Sequence, residues 1–242
     1  MLFTEEQMKQ YKETGYVILE DLFSADEMDR IRGIIDVYDL EGEEALKVGS
    51  KGFNNIPNQI NFTCNLTHRD ENLTAFIGDR RFVDLTTGVL GPDIRLYWDQ
   101  SVYKRPEANR DFPWHQDNGY VPTEPVEYMT CWLALDDATI ENGCIWVQPG
   151  SHHQGYIEHV KTDTGWQCYF GEDPGIPVPL RKGSMAVFSS LLLHRSTPNQ
   201  SQGTRKAYVI QYTVDGTRNP NTGVVFNNGP LIAKDGVALL AR

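Results

Sequence analysis

No cluster of Lys and Arg occurs in these 242 residues; 22 basic side chains are scattered among 33 acidic ones, giving a formal net charge of −11. Nucleic acid and anionic membrane surfaces both reward clustered cations, which argues against either as the main partner. Cysteine is scarce too. The four present, Cys64, Cys131, Cys144 and Cys168, share no paired spacing, so neither a disulfide framework nor a zinc site is indicated and a reducing cytosol fits. No stretch is long enough to span a bilayer, and the opening Met1-Leu2-Phe3-Thr4-Glu5-Glu6 lacks the basic and apolar regions of a signal peptide. The expectation is a soluble, cytoplasmic protein. Internal repeats and low-complexity tracts are absent as well.

What is present reads as one domain spanning 1–242, a length that supports a large core. Thr4-Glu5-Glu6-Gln7 and Ser24-Ala25-Asp26-Glu27 resemble capping boxes and place helices at about 5–14 and 25–38, the first ended by Gly15. Tyr16-Val17-Ile18-Leu19 reads as a strand between them, and a third helix is predicted over about 79–90. Gly42 to Asn72 is rich in Gly, Asn and charge and reads as a long, mobile excursion. From residue 94 short strands alternate with turn residues: Ile94–Arg105, Phe112–Gln116, Met129–Asp136, Cys144–Val147, Ile176–Leu180, Ser184–Phe188, Leu191–His194 and Arg205–Val214. Eight strands is a jelly-roll count. The helical part thus covers about 1–90, the jelly-roll core about 91–215 and a tail 216–242. Pro106–Phe112, Gln154–Gly175 and the tail read as loops, where substrate selection tends to sit.

Within that frame, Pro113-Trp114-His115-Gln116-Asp117-Asn118 places His115 and Asp117 two apart on a strand, so both point the same way and could hold a metal. The composition gives about 0.8 His-x-acid matches by chance, and the chain has two. The other, His68-Arg69-Asp70, lies in a polar run without strand alternation and reads as surface.

Two histidines and one carboxylate on one face, with three positions open, form the facial triad of non-haem Fe(II) oxygenases. The second histidine is best sought in Leu191-Leu192-Leu193-His194-Arg195-Ser196, where an apolar run ends in His194 at the lip of a buried strand, with Ser196 on the same face. Arg205 shares its strand face with Ala207, Val209 and Gln211, and a guanidinium opening such a row suggests a buried anion. Its planar fork suits a carboxylate, which makes it a clamp for the distal end of a keto-diacid cosubstrate. A core histidine and a rim salt bridge are the bland readings of His194 and Arg205.

Three blocks resemble the phytanoyl-CoA dioxygenase (PhyH) family of Fe(II)/2-oxoglutarate-dependent oxygenases. They are Gln100-Ser101-Val102-Tyr103-Lys104-Arg105-Pro106 followed by Trp114-His115-Gln116-Asp117; Trp132-Leu133-Ala134-Leu135-Asp136-Asp137 through Glu141-Asn142-Gly143-Cys144 to Pro149-Gly150-Ser151-His152; and His194-Arg195-Ser196 with Arg205-Lys206-Ala207. The resemblance covers about 94–214 closely, and the helical opening is similar in character. It implies a mainly β chain with N-terminal helices packed on one sheet of a double-stranded β-helix, or cupin-like jelly roll. By resemblance His115, Asp117 and His194 are the iron ligands, Arg205 with Ser196 binds the distal carboxylate of 2-oxoglutarate, and Gln100 and Trp132 line the same pocket. The cosubstrate would chelate the iron and leave one position for O2, with release of succinate and CO2 and oxidation of an unactivated C–H bond.

The resemblance also bears on the outcome. Halogenating relatives carry Gly or Ala at the carboxylate position, so Asp117 disfavours halogenation and hydroxylation is the default; desaturation, ring closure and epimerisation stay open. The substrate is a small molecule, and relatives act on acyl-CoA esters, amino acids, compatible solutes and natural products. Low Lys and Arg content weakens a CoA thioester, and the ending Leu240-Ala241-Arg242 is not the peroxisomal Ser-Lys-Leu. A non-catalytic metal-binding jelly-roll ligand-binding protein is the competing class, against which an intact triad and Arg205 both speak. Asn118 and Tyr120, just past the metal motif, are the candidate substrate contacts. Tyr120, Trp166, Tyr169 and Phe170 could form a substrate wall, with plain core the favoured reading of each; His152 and His153 read as fixing a turn, and His159 as lacking a partner. Lys104 either points into the barrel or snorkels at a strand end. The sequence does not bear on oligomeric state.

Overall fold

In the computed structural model, which describes residues 3–49, 55–106 and 108–240, both capping boxes form. Helix α1 (Glu5–Thr14) starts where the Thr4 hydroxyl accepts from Gln7 N and the Gln7 side chain accepts from Thr4 N. It ends at Gly15, whose φ of 83° is left-handed; an added Cβ would lie 2.6 Å from His152 Nδ1, so only glycine fits. After β1 (Tyr16–Leu19) comes α2 (Ala25–Lys47), capped by Ser24 and Glu27.

Helix α2 runs to Lys47 instead of ending near 38, for a physical reason. Its buried stripe continues as Ile31, Ile35, Asp39, Glu43 and Leu46, and the two acids are paired with Arg105 at 2.6 and 3.1 Å. A pattern of apolar spacing reads those positions as solvent-facing. Strand β2 (Ile60–Cys64) and the start of α3 (Glu71–Ile77) also fall within the stretch read as a mobile excursion, of which residues 50–54 lie outside the described residues. Asp70 of the second His-x-acid match caps α3, accepting from Asn72 N and Leu73 N at 2.7 and 3.3 Å. Helix α4 (Arg80–Val89) follows.

The remaining strands are β3 (Ile94–Lys104), β4 (Phe112–His115), β5 (Met129–Ala134), β6 (Ile145–Val147), β7 (Val160–Thr162), β8 (Gly165–Gln167), β9 (Ile176–Val178), β10 (Met185–Ser189), β11 (His194–Ser196), β12 (Arg205–Val214), β13 (Leu231–Lys234) and β14 (Val237–Ala238). The larger sheet has the order β1-β10-β5-β12-β3-β13-β14, with β2 also on β3; the smaller is β4-β11-β6-β9; β7 and β8 form a separate hairpin. Strands β10, β5, β12 and β3 with β4, β11, β6 and β9 make the jelly roll, a cupin-like double-stranded β-helix. Two expectations shift. Leu191-Leu192-Leu193 is a buried crossing from the larger sheet to the smaller, turned by a Leu192 N to Ser189 O bond, so the strand begins at His194. The tail read as loop contributes β13, whose Ile232 and Ala233 are buried against β3.

Strand alternation splits the core into two layers. Tyr208, Ile210 and Tyr212 of β12 face outward and pack with Met28, Ile31 and Ile35 of α2 and Phe82 of α4. Ala207 and Val209 face inward and pack with Trp132, Ile145 and Val147 between the sheets. Each fully buried large apolar side chain contributes roughly 1.5–3 kcal/mol. The helices therefore stiffen the sheet whose inner face carries Arg205, Gln211 and Trp132.

Candidate active site

Strand pairing brings the two histidines together. His115 ends β4 and His194 begins β11, and they are register partners, with ring centroids 4.1 Å apart. Each ring is fixed by the carbonyl two residues before it: Nδ1 of His115 lies 2.8 Å from Pro113 O, and Nδ1 of His194 lies 3.0 Å from Leu192 O. Those bonds assign the protons to Nδ1 and turn both Nε2 atoms inward, the arrangement a metal-binding imidazole needs. Asp117 Oδ1 is 3.8 Å from His115 Nε2 and 3.5 Å from His194 Nε2. The three ligand atoms lie within 4.8 Å of one another, and among the described residues they form the one such metal-capable group.

Asp117 is held from behind by two residues that sequence reasoning did not assign. Its Oδ2 accepts from Thr130 Oγ1 at 2.6 Å and from Gln211 Nε2 at 3.0 Å. That leaves Oδ1 for the shared point. The signal for Gln211 lay in the two-residue period from Arg205; nothing in the sequence singles out Thr130. Electrostatics follow the geometry. Burial, then His194, pulls His115 down to about 3, so it is neutral. Burial alone would raise Asp117, but His194, His115 and the Thr130 hydrogen bond together outweigh it and hold the carboxyl at about 2. Burial would lower His194, and the adjacent Asp117 charge raises it instead. A carboxylate and two inward Nε2 atoms suit a divalent cation.

Beside the triad lies a cavity of about 60 Å3 lined by Gln100, Trp132, Ser196 and Arg205 among others. Arg205 is 1% exposed. Its guanidinium sits 5.1 Å from the Trp132 ring centroid, one Nη donates to Val102 O at 3.1 Å, and Nε has no hydrogen-bond partner. Among the described residues no carboxylate pairs with it. Burial pulls it down only to about 10, so it stays cationic at neutral pH. A buried cation with a donor to spare fits a carboxylate ligand. Behind it, buried Lys104 donates to Ser196 Oγ at 3.1 Å and to the carbonyls of Ser196 and Thr197, pointing into the barrel.

Several other expectations change. Asn118 is buried and donates to Thr123 Oγ1 at 2.7 Å and to Val126 O, fastening its own loop and not lining a cavity. Tyr120 does line the second cavity, with its ring edge-on to His115 at 5.8 Å. Trp166 also lines that cavity, Tyr169 packs edge-on against Trp114, and Phe170 is 69% exposed, so Trp166 and Phe170 are not core. His159 has partners: its Nε2 accepts from Gln116 N at 2.9 Å and its Nδ1 bonds Ile157 O at 2.7 Å. With Gln116, whose amide binds Gly155 O, Leu191 O and Ile157 N, it ties the loop after residue 154 to the metal motif. His152 and His153 bond the carbonyls of Lys12 and Glu13 at the end of α1. His68 is exposed and contacts Asn228 O.

Residues 11–207 match the phytanoyl-CoA dioxygenase (PhyH) family. Among similar proteins, phytanoyl-CoA dioxygenase domain-containing protein 1 of Mus musculus is 32% identical over 120 residues, 45% of this chain and 41% of that protein. The homolog of that protein in Dictyostelium discoideum is 26% identical over 274 aligned positions, covering 94% of this chain and 95% of its own. Among solved structures, the non-heme alpha ketoglutarate dependent carbocyclase SnoK from nogalamycin biosynthesis superposes with a TM-score of 0.74 at 19% identity. That likeness of fold covers 95% of this chain and 96% of the other.

Proposed function

The chain belongs to the phytanoyl-CoA dioxygenase (PhyH) family, and from that premise we propose that it hydroxylates an unactivated C–H bond of a small-molecule metabolite or natural-product intermediate. It is an Fe(II)/2-oxoglutarate-dependent oxygenase, with 2-oxoglutarate and O2 as cosubstrates. The balance is one C–H bond, one O2 and one 2-oxoglutarate in, and one alcohol, one succinate and one CO2 out.

One observation carries the site assignment: the inward Nε2 atoms of His115 and His194 and Oδ1 of Asp117 converge within 4.8 Å beside a buried, carboxylate-free Arg205. His115, Asp117 and His194 would hold the iron. When bound, iron supplies the O2 and C–H chemistry that no side chain can. The chain's own residues bind and orient. Arg205 and Ser196 take the distal carboxylate of 2-oxoglutarate, Trp132 walls it, and Gln100 stands between this cavity and the next. Thr130 and Gln211 fix the carboxylate rotamer, so that the ligand oxygen is in place before the metal arrives. His115 and His194 are buried and the Asp117 side chain is 13% exposed, which limits water to what the cavities admit.

The test is spectroscopic. Under anaerobic conditions the protein with Fe(II) and 2-oxoglutarate should show a weak visible charge-transfer band that neither partner gives alone. A protein that binds both yet shows no band would sink the assignment.

A further inference from the structure

A second cavity, of about 210 Å3, shares His115 and Asp117 with the Arg205 cavity but not Arg205 itself. Its walls are chiefly aromatic: Tyr97, Trp98, Phe112, Tyr120, Tyr128 and Trp166. Among the described residues no Lys or Arg lines it. The one carboxylate there, Asp117, is already engaged by Thr130 and Gln211.

Two of these aromatics are set up to donate. Tyr97 and Tyr128 lie side by side, with ring centroids 4.7 Å apart, and Phe226 backs Tyr97 edge-on at 5.2 Å. Tyr128 is 2% exposed. No hydrogen bond is made by either hydroxyl among the described residues. Burial, reinforced by the Asp117 charge, pushes Tyr97 up to about 12 and Tyr128 well above its ordinary value, so both keep their protons at neutral pH. Neither hydroxyl is among the buried polar atoms left without a partner, and both residues line the cavity, where a ligand oxygen could accept from them.

We propose that this chamber selects an uncharged, ring-bearing small molecule that presents an acceptor oxygen to Tyr97 and Tyr128. The argument is one of exclusion and fit. An anion would lose its water with no Lys or Arg to receive it, next to the Asp117 carboxylate. A cation could lie on the indole faces, but it would leave the two phenol donors unmatched. An uncharged ring gains stacking area on the aromatic walls and lets its oxygen accept from the phenols. A free carboxylate, a phosphate or a CoA moiety is therefore excluded from the inner chamber. The proposal rests on the oxygenase reading only in that the reacting C–H bond would lie here; binding itself does not need iron.

The experiment uses three probes that share one ring system: 2-acetylnaphthalene, 2-naphthoate and 2-naphthylmethylammonium, titrated calorimetrically into the full chain. The neutral ketone should bind at least ten-fold more tightly than either charged probe. The double variant Tyr97→Phe/Tyr128→Phe should weaken the ketone about ten-fold while leaving unsubstituted naphthalene unchanged, a split that a misfolded chamber would not give. Equal affinity across the three probes, preference for a charged one, binding by none, or a ketone affinity indifferent to the two hydroxyls would each overturn it. The anaerobic Fe(II)/2-oxoglutarate band, recorded on the same preparations, separates the two readings. A normal band without the ketone preference overturns the substrate class alone, whereas the preference without a band overturns the oxygenase reading and leaves the chamber assignment standing.

Discussion

Lys104 of β3 and Arg205 of β12 are register partners, each 1% exposed, and neither forms an ion pair among the described residues. Two buried basic groups side by side suit the distal carboxylate of the cosubstrate. Burial, then the Arg205 charge, pulls Lys104 down to about 7. A carboxylate bound at Arg205 would raise it again, because an opposite charge favours the charged form. The sign follows: a group whose pKa rises on binding adds affinity that is complete below its free value and is lost as the pH climbs through the bound value. The dissociation constant for 2-oxoglutarate, titrated anaerobically into iron-loaded protein, should therefore rise about three- to ten-fold from pH 6.5 to 8.5. Lys104→Met should flatten the profile. A flat wild-type profile would remove Lys104 from cosubstrate binding.

Arg205→Lys should be far from conservative. The guanidinium is held by Val102 O and by the Trp132 face, and a lysine cannot offer two parallel donors from that position. We expect the KM for 2-oxoglutarate to rise by about two orders of magnitude, with kcat changed much less, because a bidentate charge-assisted contact is lost. Succinate release measured against cosubstrate concentration checks it.

The two His-x-acid matches predict opposite outcomes. Asp117→Ala removes the carboxylate facing both Nε2 atoms and should abolish succinate formation, whereas His68→Ala touches only an exposed contact with Asn228 and should leave it near wild type. Inactivity of the His68 variant would instead place the metal at His68 and Asp70.

Much of this was legible because the signals were local. Thr4, Ser24 and Gly15 announce helix ends by chemistry within one turn, and α1 and β12 fall at the residues expected. The period of two along β12 placed Arg205 and Gln211 on one face before any contact was known. What escaped depends on partners far off in sequence. His159 finds Gln116 across 43 residues, and Thr130 matters only because β5 lies beside β12. Leu191-Leu192-Leu193 is apolar because it crosses between sheets, and apolar runs do not say whether they are strands or crossings.

Gln211→Leu tests the support of the carboxylate. Leu keeps the volume but deletes the donor 3.0 Å from Asp117 Oδ2, leaving that oxygen with Thr130 alone. Outer partners of this kind are worth about 10- to 100-fold in metal affinity. Competition against a chelator should show such a loss for Fe(II) or Mn(II), with the thermal midpoint little changed. A variant that binds metal normally would mean that Thr130 suffices.

Arg105 carries the prediction for the fold. It reaches Asp39 at 2.6 Å and Glu43 at 3.1 Å, and both acids sit on the buried stripe of α2. Arg105→Met would leave two carboxylates buried without a cation, which costs roughly 3–5 kcal/mol. The pH dependence has a defined sign. Burial already raises Asp39 even with Arg105 present, and removing the guanidinium would raise it further. A carboxyl raised on folding contributes stability below its unfolded value and loses it as the pH rises through the folded one. The deficit of the variant in chemical denaturation should therefore be smaller at pH 5 than at pH 8. Adding Asp39→Asn and Glu43→Gln to Arg105→Met should recover most of the loss at pH 8, because neutral amides need no cation. A triple variant as unstable as the single one would mean that Arg105 acts through packing and not through charge.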